Sequence, residues 1–119
     1  MERNRQQPQP KDRRREPRHL CSHLLEVTAA TGRQQAVLED LSPEGAAVAV
    51  ENAVEAATVV ELCAPDFRIR AEVRYCLRRE GDFRLGLRFT EGFRWHPGVW
   101  QPEHLWLPPV GDSPPRQPD

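Results

Sequence analysis

Two short stretches of this chain gather side chains suited to recognition chemistry: Arg13-Arg14-Arg15-Glu16-Pro17-Arg18 and, 21 residues later, Asp40-Leu41-Ser42-Pro43-Glu44-Gly45. Arg14 and Arg18 are separated by three residues and supply two planar guanidinium forks. Each fork matches phosphate oxygens or the paired O6 and N7 acceptors of a guanine edge. Asp40 offers the complementary chemistry, accepting hydrogen bonds from guanine nitrogens, while Ser42 donates or accepts one and Gly45 lets the backbone pass close to a ligand. Basic and acidic groups then read different edges of one molecule. Taken singly, each stretch has a plainer reading. The first is a solubilising basic tail, and the second is a turn in which Asp40 or Ser42 caps neighbouring amides, a role compatible with binding.

The remaining reactive residues point away from other chemistry. No nucleophile, base and orienting group fall into a recognised catalytic pattern, and Ser42 lacks the GxSxG elbow, so no enzyme is expected. His19, His23, His96 and His104 have no metal-ligand spacing. Cys21, Cys63 and Cys76 form neither a CxxC pair nor a disulfide framework, and read as apolar filler. Neither a metal nor a cofactor is expected. The net charge of -1 conceals a division: residues 1–19 carry seven Lys/Arg against three Asp/Glu, residues 20–66 one against eight, and residues 67–94 eight against four. A basic head beside an acidic middle suits a local anionic ligand better than a long polyanion, which disfavours nucleic acid. A single-stranded nucleic-acid-binding small β-barrel is the rival binding class. No apolar run approaches the roughly 18 residues that a membrane span needs, and the polar start is no secretory signal, so the expected compartment is the cytoplasm.

These side chains need a scaffold, and 119 residues, 38% of them hydrophobic, provide one compact domain. Residues 1–12 have no apolar period and are expected to be a flexible tail; the domain runs from 13 to 107, and a Pro-rich, disorder-prone tail fills 108–119. The segment from His19 to Val27 reads as a strand with an ambiguous inward face. A turn at Gly32 and a return strand from Gln34 to Leu38 follow. After the Asp40 to Gly45 turn come strands at Ala46 to Val50 and Thr58 to Cys63; residues 51–57, between them, are equally compatible with a short helix. Ile69, Ala71, Val73, Tyr75 and Leu77 then alternate with polar residues and predict one apolar face. Phe83, Leu85, Leu87 and Phe89 repeat the pattern opposite Arg84, Gly86 and Arg88, forming a hairpin with a wet arginine face. The pattern predicts an antiparallel, mostly β domain, for which closure into a barrel removes exposed edges. Trp95, Trp100 and Trp106, interspersed with prolines, predict an extended or turn-rich wrap over an open end of the core, with room for a short helix at 102–107. A partner surface and ligand stacking are the other readings of these tryptophans.

The ordered pair RxxxR (Arg14 to Arg18) and [D/N]xSxxG (Asp40 to Gly45) resembles the signature of the PilZ domain, a family that binds the bacterial second messenger cyclic di-GMP. Residues 71–89 also resemble that family's closing strand pair, including the glycine before a final aromatic strand end. The resemblance spans about residues 13–90. It implies a six-stranded antiparallel β-barrel whose arginine segment folds across the mouth to clamp the dinucleotide. Arg14 and Arg18 would contact phosphates and guanine edges, with Asp40, Ser42 and Gly45 lining the barrel side and Arg13 or Arg15 adding a further contact. One ligand or an intercalated pair fits the family. The Trp- and Pro-rich C-terminal segment departs from the helix that often ends these domains. With no glycosyltransferase, chemotaxis or DNA-binding domain in the chain, the implied role is a receptor or adaptor acting through a protein partner or a homodimer. The alternative within the family is a protein-interaction module that binds no nucleotide.

Overall fold

The structure, a computed structural model, describes residues 18–90 and 92–107. Arg13, Arg14, Arg15 and both expected tails, 1–12 and 108–119, lie outside the described residues. Six strands follow one another: β1 (His19–Ala29), β2 (Gly32–Leu41), β3 (Gly45–Val50), β4 (Val59–Ala64), β5 (Phe67–Arg79) and β6 (Asp82–Phe89). They pair antiparallel in the order β1-β2-β3-β6-β5-β4 and close into a barrel, as expected. The closing seam is short, joining residues 26–28 of β1 to residues 61–63 of β4. Tight connections fix the registers. Glu80 and Gly81 join β5 to β6, and Gly81 adopts the left-handed φ of 94° that such a two-residue hairpin favours.

Residues 51–58 form no helix. The Ala57 N–H donates to the Val73 carbonyl at 2.7 Å and Val73 N–H donates to the Thr58 carbonyl at 2.9 Å, so the segment is spent on contacts with β5 rather than on its own helical turns. Burial resolves the ambiguous face of β1: Leu25 and Val27 point into the core and Leu20 and Leu24 stay exposed. The apolar face read along β5 is interrupted. The register shifts between Val73 and Tyr75, leaving Arg74 as the extra residue of a bulge. One extra residue inverts the alternation, so Ala71 and Val73 are buried, Cys76 packs against the core, and Leu77 emerges on the surface.

The small buried side chains of β3 and β5, among them Ala46, Val48 and Ala71, let the barrel walls approach, and Leu38, Leu62 and Leu85 fill the interior. Beyond β6 the described residues 92–107 wrap an end of the barrel and form no helix, including at 102–107. Trp95 and Trp100 are buried, as a covering role requires, whereas Trp106 is 47% exposed. The Trp100 ring stacks on Phe67 at 4.4 Å and its indole N–H donates to Asp66 at 2.9 Å, giving the polar tip a partner at the buried end. No helix among the described residues is long and apolar enough to cross a membrane.

Candidate functional site

The Asp40 to Gly45 segment occupies the end of β2, the connecting turn and the start of β3. Three register irregularities surround it, at Leu20/His23 between β1 and β2, at Leu38/Asp40 between β2 and β3, and at Val73/Tyr75 between β5 and β6. The shift on β2 leaves Glu39 without a partner on β3. Leu38 and Leu41 can then both point inward while Asp40 turns to the other face, which is how a bulge re-aims a side chain. Asp40 thereby joins a row of Cα partners running across five strands: Leu20, Asp40, Ala47, Gly86 and Tyr75. Ala47 is fully buried and Gly86 lies under the Tyr75 ring, where any Cβ would collide with it.

Asp40 is a buried carboxylate with two cationic partners among the described residues. Arg84 Nη2 lies 3.0 Å from its Oδ2, and Arg18 Nη1 lies 3.6 Å from the same atom. The last arginine of RxxxR is thus brought onto the first acid of DxSxxG. Arg84 belongs to neither motif, and its contact with Asp40 spans 44 positions of sequence. Burial alone would lower its pKa, but hydrogen bonds and charge from Tyr75 and Asp40 leave it raised overall. The sequence marks Arg84 only as one polar position on an alternating strand, so its partner was not legible there. The hairpin's arginine face is correspondingly less wet than expected: Arg79 and Arg84 both reach Glu39 on β2, and Arg79 also pairs with Asp82 at 2.8 Å.

The turn is pinned on several sides. Ser42 N–H donates to the Gly45 carbonyl at 2.9 Å and the Ser42 hydroxyl donates to the same oxygen at 3.3 Å, which leaves the Ser42 lone pairs as acceptors. Phe89 N–H donates to Glu44 O at 2.8 Å, and Trp95 N–H donates to Pro43 O at 2.9 Å, tying the turn to β6 and to the tryptophan wrap. Gly45 has a packing role that the motif did not reveal. A Cβ there would run into the backbone carbonyl of Leu87, because β3 and β6 pair closely at this position. A separate groove of about 530 Å³ is lined by Leu24, Val37, Ala49, Gly81 and Asp82 among others, and includes none of Arg18, Asp40, Ser42 or Gly45. Arg18 and Asp40 thus meet beside the bulged strands, apart from this groove.

Comparison with known proteins agrees with this architecture. The PilZ domain profile matches residues 12–93, well over half of the chain. The chain belongs to the PilZ domain family. Among solved structures it resembles the PilZ domain with c-di-GMP of YcgR from Escherichia coli, with a TM-score of 0.51 and 21% sequence identity over 66% of this chain and 79% of that one. At that identity the likeness speaks for the fold. No curated protein sequence matches the chain.

Proposed function

We propose that this chain is a cyclic di-GMP receptor or adaptor that converts capture of the dinucleotide into a change of partner interaction. The observation that carries the reading is the convergence of Arg18 on the buried Asp40 at 3.6 Å, in a chain of this family. In the proposed complex Arg14 and Arg18 clamp phosphates and guanine edges, and Asp40 accepts from guanine N–H groups. Ser42 and Gly45 border the base, and Arg13 or Arg15 adds a phosphate contact. The ligand carried by the YcgR domain supports the same choice of dinucleotide. The functional unit is residues 13–107, acting in the cytoplasm on a protein partner or a second copy of itself. Calorimetric titration with cyclic di-GMP, against GMP, cyclic di-AMP and a short RNA, tests the reading. Saturable, guanine-selective binding is expected, weakened in Arg14→Ala and Arg18→Ala with the barrel intact. Folded protein that shows no such binding overturns it, and salt-dependent RNA binding without dinucleotide preference favours the nucleic-acid class.

A further inference from the structure

The two arginines on Asp40 are not equivalent. Arg18 is 51% exposed and stands at 3.6 Å, whereas Arg84 is 24% exposed and stands at 3.0 Å. Arg84 is also anchored at its other guanidinium nitrogen by Glu39 Oε1. Glu39 is in turn gripped by Arg79 through two bonds of 3.2 and 3.0 Å, and Arg79 holds Asp82 through two more of 2.8 and 2.9 Å. An alternating chain, Arg18, Asp40, Arg84, Glu39, Arg79 and Asp82, thus leads from the candidate site to the β5–β6 turn. Its first member is the most loosely held. A buried carboxylate stripped of every cationic partner is strongly disfavoured, so Asp40 can release one arginine to a ligand but not both. Moving Arg84 would break its bonds to two acids, whereas moving Arg18 breaks one long contact.

We propose that Arg84 is a positioning residue of the ligand site: Arg18 transfers from Asp40 to the dinucleotide, and Arg84 stays behind as the counter-ion that aims the carboxylate at the guanine edge. This rests on the cyclic di-GMP reading and adds a residue outside both motifs. The test compares affinities for cyclic di-GMP and cyclic di-IMP, whose hypoxanthine lacks the exocyclic amino group that Asp40 would accept from. The parent prefers cyclic di-GMP. In Arg84→Gln that preference falls by about tenfold, the scale of one base-edge contact, while binding through the phosphates persists. Arg84→Lys keeps a charge but cannot span Glu39 and Asp40 with a planar fork, so its preference falls too, and it decides the matter if Arg84→Gln does not fold. General loosening of the barrel would weaken both ligands alike and leave the ratio unchanged. A parent-like ratio in the folded variants overturns the proposal, as does a parent that binds both ligands equally. A parent that binds neither overturns the receptor reading itself.

Discussion

Cys21 follows the Cα partner of Asp40 on β1, and its thiol is pushed up to about 12, first by burial and then by the negative charges of Asp40 and Glu39. Its Sγ sits 3.7 Å from the Leu38 carbonyl, an oxygen that only the protonated thiol can approach as a donor. The folded state therefore keeps a proton that an unfolded chain, with the ordinary value of 9.0, gives up earlier. A pKa raised by folding contributes stability that is complete below the unfolded value and is lost as pH rises through the folded one, here between 9.0 and about 12. Cys63 shifts in the same direction, chiefly through burial, so the comparison must isolate Cys21. Thermal melts at about pH 8 and about pH 10.5 should show a smaller alkaline loss in Cys21→Ala than in the parent. Equal losses would mean that the Asp40 neighbourhood does not hold this proton. The same environment keeps Cys21 protonated near neutral pH, which disfavours the nucleophilic thiolate.

At the scale of the strands, Gly45 separates a packing role from a recognition role. If its lack of a side chain served only the ligand, Gly45→Ala would lower affinity and leave the melting temperature alone. The Leu87 carbonyl stands where the new methyl must go, and this oxygen belongs to the backbone of β6 rather than to a side chain free to swing away. Gly45→Ala is therefore expected to destabilise the ligand-free barrel by about 1–3 kcal/mol, measurable by chemical denaturation. Unchanged stability would leave the glycine to the ligand alone. The motif marked this position without disclosing its structural reason, and the strands show the same pattern. Alternation made the β5–β6 hairpin and its inward Leu85 and Leu87 legible. It misassigned Tyr75 and Leu77, because the bulge at Arg74 carries no local mark and follows from pairing with Gly86 across the sheet. The Glu39 bulge that turns Asp40 out of the core was hidden in the same way, and so was the Arg84 contact that depends on it.

For the whole molecule the question is whether the tryptophan segment belongs to the barrel or merely accompanies it. Prolines argued against one long helix, and the described residues 92–107 form a wrap with turns at 97–99 and 103–104 and no helix. Sequence alone left all three indoles equally eligible as cover, because which of them meets the barrel depends on contacts made from β1, from β4–β5 and from the Asp40 to Gly45 turn. The structure divides them. Trp100 packs between Phe67 and His23, and Trp95 donates its indole N–H to the Trp100 carbonyl at 2.8 Å while its backbone N–H holds Pro43. Trp106 is held through its backbone, to Leu20 at 2.8 Å and to the His19 ring at 3.3 Å, and keeps much of its indole in water. Trp100→Ala should accordingly cost about 3–5 kcal/mol, the range for emptying a buried aromatic site, whereas Trp106→Ala should change stability by less than about 1 kcal/mol. For a domain of this size the first loss is a large share of a total near 5–15 kcal/mol, so denaturation should begin at visibly lower temperature in Trp100→Ala alone. The Trp95 to Pro43 bond adds a functional consequence, since loosening the wrap also frees the turn that carries Ser42. Folded Trp100→Ala protein should therefore bind the dinucleotide more weakly, with no contact to it lost. If Trp100→Ala and Trp106→Ala melt alike, the wrap is an appendage and the turn is held by β6 alone.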